Sequence, residues 1–295
     1  MPIPRSLVPL ALVFVAAAAS PQPPPSTEIF LAPLAPADGR LQAGAPVNVS
    51  NSPGYDNQPA FTPDGAALLF TSVRAGAELP DIYRYDLASR LVSRVTTTPE
   101  GEYSPTPTPD GTGFSVIRVE ADGTQRLWRF SMAGADPALV LADVKPVGYH
   151  AWIDDRTLAL FVLGRPATLQ IADTGSGKAE PVAENIGRSL HRIPGRATVS
   201  FVHKEEDAGW WVKEYDPRTK AITPLVRTLD GSEDCAWMPD GRLLMAQGAR
   251  LFVWQPGGNA GWEEVANFAA AGLQSITRLA VSPNGDWIAI VAASM

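Results

Sequence analysis

Three histidines are the first residues to test for chemistry, because neutral imidazole can act as a metal ligand or as a general base. They are His150, His191 and His203. Three such side chains meeting at one point would suit zinc, but their spacing along the chain does not require them to meet. A zinc site stays an alternative, whereas we favour histidines that are solvated or lie at the edge of the core. We therefore predict no metal and no cofactor.

A second set of polar residues, mixed in charge, comes just before a series of short apolar segments. Such a set is typical of a binding face, although short loops are also polar simply because water and local turns demand it. The acidic members could instead hold calcium, but no Asp-rich loop with calcium-ligand spacing supports that. We predict no catalytic residue, and we expect a ligand or partner to bind at Asp56, Asn57, Gln58, Glu102, Tyr103, Tyr149, His150, His191, Glu233, Asp234 and Arg278.

Two other signals have structural interpretations. The segment 175–178 has the glycines and lysine of a phosphate loop but lacks the earlier glycine of that motif, and no helix is expected after it. We interpret it as a hairpin turn. Cys235, the single cysteine, has no histidine beside it in the repeat described below, so we expect a small buried residue rather than a nucleophile.

The elements that position these residues follow from an internal repeat. A turn signal made of Pro-Asp-Gly, or a relic of it, recurs at steps of 46, 44, 40, 46 and 44 residues. A period of about 40 to 45 residues is typical of a four-stranded propeller blade. The six turn pairs are Asp64-Gly65, Asp110-Gly111, Asp154-Asp155, Pro194-Gly195, Asp240-Gly241 and Asn284-Gly285.

The repeat predicts an all-β fold, a six-bladed β-propeller with four-stranded antiparallel blades. After each turn comes a continuous apolar strand, as expected where neighbouring blades cover both faces. The sixth copy stops after two strands, and residues 28–32 and 46–49 resemble the missing third and fourth strands, with a turn at 37–39. We predict that strands from both termini build the last blade, which removes open sheet edges. No helix is expected, and only residues 263–273 are ambiguous.

This architecture gives the polar residues a common location. In a propeller, the loops that enter the innermost strands and those that join second to third strands surround the axis on one face. His150 and His191 are therefore expected near the mouth of the central channel, on adjacent blades, and His203 on the rim of the same face.

The first repeat, from Pro59 through Gly65 and on to the strand at 81–86, resembles the WD40-like (PD40) repeat of TolB-type β-propellers. The second copy at 104–111 and the fifth at 236–241 resemble it too. The resemblance covers 28–295 as a pattern and implies a six-bladed propeller that more often binds than catalyses. The separate α/β domain that precedes the propeller in TolB has no counterpart here, so we do not carry over a role in the Tol complex.

The start of the chain predicts export. Arg5 precedes an apolar run that ends in small residues, as in a cleaved signal peptide, which we place at 1–19. A Pro-rich linker at 20–27 and a single propeller domain at 28–295 would follow. The apolar run is shorter than the roughly 20 residues that span a bilayer. We expect a bacterial periplasmic or secreted protein without a membrane span, and a monomer.

Charge excludes one class of partner. The formal net charge of the 295 residues is -7, and removing the single positive charge of Arg5 takes it to -8. An acidic chain without a basic stripe does not suit a nucleic acid. The sequence thus favours an exported, non-catalytic binding or scaffolding module for a protein, small molecule or carbohydrate. The alternative is a propeller hydrolase, lactonase or carbohydrate lyase that uses His150, His191, Glu233, Asp234 and Arg278 at the channel mouth.

Overall fold

The computed structural model describes residues 26–74, 76–258 and 261–294. The predicted signal peptide and residues 20–25 of the predicted linker lie outside this part of the chain. In the described ranges, the secondary structure consists of strands and one 3-10 turn at Ala269–Ala271. None of the helices described there is long and apolar enough to cross a membrane.

The strands form six antiparallel sheets, and the predicted six-bladed β-propeller is confirmed. We number the blades from the first complete repeat, and in blades one to five the chain runs from the innermost strand outward. The N-terminal strands, which belong to blade six, are β1 (Glu28–Ala37), β2 (Arg40–Ala43) and β3 (Val47–Asn48).

Blades one to three follow in chain order, each as one sheet of four strands. Their strands are β4 (Asp56–Phe61), β5 (Ala67–Ser72), β6 (Asp81–Asp86) and β7 (Val92–Arg94); β8 (Gly101–Pro107), β9 (Gly113–Val119), β10 (Gln125–Ser131) and β11 (Ala138–Leu139); and β12 (Val147–Trp152), β13 (Thr157–Val162), β14 (Thr168–Asp173) and β15 (Lys178–Glu184).

Blades four and five repeat the arrangement, and two C-terminal strands supply the inner half of blade six. These strands are β16 (Ile186–Arg192), β17 (Val199–Glu205), β18 (Gly209–Asp216) and β19 (Ala221–Arg227); β20 (Cys235–Trp237), β21 (Leu243–Gln247), β22 (Arg250–Trp254) and β23 (Glu263–Asn267); and β24 (Leu273–Val281) and β25 (Trp287–Ser294). The ambiguous stretch 263–273 therefore holds β23, the 3-10 turn and the start of β24.

The repeated turn is held by its own side chains. In blade one, the Thr62 hydroxyl donates to Oδ1 of Asp64 at 2.6 Å, and the same oxygen accepts the backbone N–H of Ala66 at 3.0 Å. Gly65 takes a φ of +70°, which a residue without Cβ adopts at no steric cost. Because the turn satisfies its own polar groups, it can join two strands through five residues, 62–66.

The apolar second strand of each blade forms the core, as the sequence predicts. All six residues of β5 are buried, and Phe70, Phe114 and Phe201 are among the largest fully buried side chains. Buried clusters lie between neighbouring blades; one joins Ile117 of blade two to Leu158 and Leu160 of blade three. Each blade is therefore stabilised by its two neighbours rather than by a core of its own.

Blade six combines both ends of the described chain, as predicted. Strand β1 lies between β25 and β2, with Phe30 opposite Ile290. The outer strands of blade six differ from the prediction, because β1 continues to Ala37 instead of ending at residue 32. The turn at Asp38 and Gly39 then forms a hairpin with β2, and β3 pairs only with Phe30 and Leu31. The short strands β2 and β3 thus share the position of the fourth strand in blade six.

We expect Ile29→Ala to destabilise the ring strongly. Ile29 is fully buried in the cluster that joins blade six to blade one, and removing three carbons from such a site costs about 2–5 kcal/mol. Val47 on the neighbouring strand β3 is 62% exposed, so Val47→Ala should change the free energy of unfolding by about 0.5 kcal/mol or less. Urea unfolding followed by tryptophan fluorescence measures both. Equal midpoints for the two variants would contradict closure through β1.

Candidate functional site

The innermost strands of the six blades surround a central cavity of about 470 Å³. They are β4, β8, β12, β16, β20 and β24. Four consecutive residues of each blade, or five in blade four, line this cavity at the end of the innermost strand, with Asp234 just before β20. They form successive rings, because equivalent repeat positions lie at equal heights along the axis. Strands rise about 3.3 Å per residue, so four positions span about 10 Å of channel.

All six side chains of the ring nearest the mouth are polar. Its members are Gln58, Ser104, Tyr149, Arg188, Asp234 and Arg278, each three positions before the end of its innermost strand except Arg188, which is four before it. Five of the six innermost strands carry a register shift near this height. A bulge turns side chains away from strict alternation. At one such position, Gln58 with a φ of 56° accepts the N–H of Ser104 from the next blade at 3.0 Å.

Four residues of four consecutive blades meet at one side of this mouth, and we call Tyr149, Arg188, Asp234 and Arg278 the mouth cluster. Arg188 donates from Nε and Nη2 to the two oxygens of Asp234, at 3.2 and 2.6 Å. Arg278 donates from Nη1 to Oδ1 of Asp234 at 2.7 Å and from Nη2 to the Tyr149 hydroxyl at 3.0 Å. One carboxylate therefore bridges two guanidinium groups.

Glu233 flanks the mouth cluster. It accepts a hydrogen bond from Nζ of Lys204 at 2.8 Å and from the backbone N–H of Arg188 at 3.2 Å. Burial would raise the pKa of the Glu233 carboxyl, but the Lys204 hydrogen bond and the Arg188 charge outweigh it and leave that pKa below its ordinary value. Glu233 is therefore an anion at neutral pH, already paired with a lysine.

Aromatic rings support the cluster. The Tyr149 ring lies edge-on to Phe161, with 5.6 Å between centroids, and the guanidinium carbon of Arg278 lies 5.4 Å from the Tyr149 centroid. Burial raises the pKa of nearby Tyr55 to about 12. The Tyr55 hydroxyl is therefore protonated at neutral pH.

Two of the three histidines lie in the channel wall. Nε2 of His150 is 2.6 Å from the Ser115 hydroxyl, and Nε2 of His191 is 2.9 Å from the Ser189 hydroxyl. Loss of water around the rings lowers the pKa of His150 to about 3 and that of His191 to about 4. Both imidazoles are therefore neutral at pH 7.

His203 lies on β17, where it pairs with the first residue of β16, and it is 3.6 Å from Glu205. Its partial burial lowers its pKa, and the charge of Lys213 acts in the same direction. It does not line the cavity that His150 and His191 share. Among the described residues, no three His, Cys, Asp or Glu side chains are grouped closely enough to hold a metal ion.

Cys235 lies in the wall beside Ser189, with 3.4 Å between Sγ and Oγ. Burial raises the pKa of its thiol to about 12, so the thiolate that a nucleophile needs is absent at neutral pH. The segment 175–178 links β14 to β15 as a hairpin turn.

The structure brings together six of the predicted binding residues and separates the others. Gln58, Tyr149, His150, His191, Asp234 and Arg278 line the cavity, and Glu233 reaches it through Arg188. Asp56, Asn57 and Glu102 are buried and do not line the cavity, and Tyr103 packs against the core between blades two and three.

The two buried carboxylates have structural partners. Glu102 lies 3.2 Å from Nε of Arg118 and accepts hydrogen bonds from Thr96 and Thr98, whereas the closest charge to Asp56 is Arg74 at 3.7 Å. Burial raises the pKa of both carboxyl groups. Both residues come before the register shift of their innermost strand, so their side chains do not face the channel.

Sequence reasoning did not select two residues at this site, Arg188 and Lys204. Arg188 precedes Asp234 by 46 residues, one repeat period, so a blade-by-blade alignment of the charged positions beside the mouth would have found it. Lys204 contacts the site from the end of β17, which faces the same side as the channel mouth.

No protein-family model matches the chain, and no curated protein matches it in sequence. Its fold is similar to that of the putative TolB from Agrobacterium tumefaciens, which is 15% identical with a TM-score of 0.69 over 91% of this chain and 99% of that chain. A chain of a nidogen/laminin complex is 11% identical, with a TM-score of 0.64 over 91% and 99% of the two chains.

An oligogalacturonate lyase in complex with manganese is 15% identical, with a TM-score of 0.56 over 85% of this chain and 80% of that one. At such identities a likeness shows the fold alone. The chain therefore has TolB-like propeller architecture, and that architecture occurs both in a named lyase and in a protein complex.

We expect His191→Gln to reduce the loss of unfolding free energy that the wild type shows as the pH falls below 6.5. Folding lowers the His191 pKa from 6.5 to about 4, so in this window the unfolded chain binds more protons than the folded one. The stability that comes from the neutral His191 imidazole is therefore fully present above pH 6.5 and is lost as the pH falls toward 4. One fully titrating group contributes about 1.4 kcal/mol per pH unit.

The measurement is urea unfolding at pH 7, 6, 5 and 4.5 for the wild type, His191→Gln and Thr223→Gln. Thr223 is an exposed position of β19 in the same blade, so its variant should keep the wild-type slope. A His191→Gln slope that is equal to the wild-type slope would show that the ring is not held neutral.

Proposed function

We propose that the chain is an exported β-propeller binding module that holds its ligand or partner at the mouth of the central channel. The observation that carries this proposal is the mouth cluster, where side chains of blades three, four, five and six converge on Asp234. Arginine and tyrosine, with tryptophan, are enriched in binding hot spots. A partly exposed arginine and tyrosine group beside a cavity is typical of recognition.

The protonation states of the wall support binding over chemistry. A general base works best with a pKa near the operating pH, whereas the pKa values of His150 and His191 lie near 3 and 4. The Cys235 thiol is held protonated, and the acidic residues Glu233 and Asp234 are engaged by Lys204, Arg188 and Arg278.

We further propose the location and boundaries that the sequence predicts. A signal peptide at 1–19 and a linker at 20–27 would precede the propeller at 28–295, and the mature protein would be a periplasmic or secreted monomer of the PD40 repeat family. The partner is a protein, as for the propeller in the nidogen/laminin complex, or a small molecule or carbohydrate, as for the lyase.

Capture experiments test the proposal. Purified protein is immobilised and incubated with periplasmic extract of its own cells, and the captured material is identified by mass spectrometry. We expect Arg188→Gln or Tyr149→Ala to reduce capture about tenfold or more, since each removes a hot-spot side chain. Arg129→Ala is the matched control, because Arg129 is an exposed arginine bound to Asp110 at the turn on the opposite face.

Two results would contradict a binding module at the mouth. Capture that is lost with Arg129→Ala but kept with Arg188→Gln would move the function to the other face. Turnover of a polysaccharide, lactone or peptide substrate by wild type that Arg188→Gln removes would instead favour the enzyme class. Thermal unfolding of each variant in parallel separates loss of binding from loss of fold.

A further inference from the structure

The mouth cluster has more hydrogen-bond donors than acceptors. A guanidinium group carries five N–H donors. Arg188 uses three of them, two toward Asp234 and one toward the carbonyl of Thr277 at 3.5 Å. Arg278 also uses three, toward Asp234, the Thr277 carbonyl and Tyr149. Two N–H groups on each arginine thus lack an acceptor among the residues that the structure describes.

Charge is unbalanced in the same direction. The charged side chains that line the cavity, apart from the two neutral histidines, are Arg188, Arg192, Arg278 and Asp234. At the mouth, Arg188 and Arg278 thus place two positive charges against the one negative charge of Asp234, and Arg192 adds a third at the far end of the channel, although the chain as a whole carries -7. The neighbouring pair of Glu233 and Lys204 adds no net charge. A concave wall with low-dielectric surroundings concentrates such a field and attracts an anion.

Most of the wall beyond the mouth cluster is apolar. The indole N–H groups of Trp152 and Trp237 are already bound to Ser115 and Ser200 at 2.9 and 2.8 Å, so they offer a ligand only ring surface. The next two rings into the channel include Pro59, Ala60, Pro105, Ala151, Leu190, Ala236, Leu279 and Ala280.

Polar side chains interrupt this surface at Thr106, His150 and His191. Nδ1 of His150 has no hydrogen-bond partner among the described residues, and the side chain is only 6% exposed. It lies one residue along β12 from Tyr149, about 3.3 Å deeper in the channel. An unpaired buried nitrogen of this kind is unfavourable unless a ligand or water engages it.

We propose that Arg188 and Arg278 bind the carboxylate group of a ligand whose compact apolar body lies in the channel below them. This proposal deepens the binding function above and rests on it. A carboxylate matches the planar fork of a guanidinium and supplies the acceptors that the two arginines lack. A cationic ligand would face the excess positive charge, and a polyhydroxylated one would leave its hydroxyl groups against proline, leucine and alanine.

The first test compares 3-phenylpropionate with 3-phenylpropanamide by isothermal titration calorimetry on the full mature chain. The two probes differ only in the charged group. We expect the acid to bind with a dissociation constant of about 1 mM or lower and at least about tenfold more tightly than the amide. Equal affinities, or no saturable binding of the acid, would overturn the proposal without any variant.

Two variants with opposite expected effects locate the site. Arg278→Gln should weaken the acid about tenfold or more, and Asp234→Asn should strengthen it, because the internal carboxylate that competes for both arginines is removed. A purely structural Asp234 would give weaker binding in both variants. Arg196→Gln is the control, since Arg196 is exposed and pairs with Glu214 in the outer part of blade four.

Galacturonate, a sugar acid, tests whether the carboxylate belongs to an apolar or a polyhydroxylated ligand, and galactose is its control without a carboxylate. We expect galacturonate to bind more weakly than 3-phenylpropionate; the reverse order would overturn the apolar body. Failure of this proposal differs from failure of the binding function. Mouth-dependent capture of a partner with equal binding of acid and amide would refute only the carboxylate, whereas Arg278-dependent acid binding with unchanged capture by mouth variants would refute only the partner role.

Discussion

Ring closure through β1 is the constraint on which the rest of the molecule depends. The N-terminal strand is hydrogen-bonded between β25 and β2, and its alternate side chains enter two different clusters. Ile29 and Leu31 pack toward blade one, whereas Phe30 and Ala32 pack toward blade five. A blade has no core of its own, so a ring with this strand missing would expose apolar faces on both sides of the gap.

The closed ring also determines where a binding site can form. Six innermost strands bring the same repeat position to the same height on the axis, and the fold requires little of the side chain there. Turn residues such as Asp64 and Gly65 and core residues such as Phe70 are used by the blade itself. The position at the mouth is left free to differ among blades, and it is there that Tyr149, Asp234 and Arg278 occur.

Sequence could predict the blades because their determinants are local. The turn needs Asp and Gly at fixed places, and the second strand needs a continuous apolar run, so both are visible in single copies such as 59–72. The hairpin to β2 escaped prediction because its short edge strand has no apolar pattern. Of the predicted binding residues, Asp56 and Glu102 lie before strand irregularities, and one extra residue sends a side chain to the opposite face. Alternation along the sequence cannot locate such a shift.

The location of the mouth cluster links binding to closure of the ring. Its charges are partly exposed and shared among blades four, five and six, so the cluster contributes less to stability than the buried apolar clusters do. Its geometry nevertheless requires those blades to keep their spacing, because Arg188 and Arg278 reach the same carboxylate from either side of blade five. A ligand held by both arginines binds only the closed ring. It therefore stabilises the closed ring by RT ln(1 + L/Kd), where L is its free concentration, and this term grows with the logarithm of L once L exceeds the dissociation constant Kd.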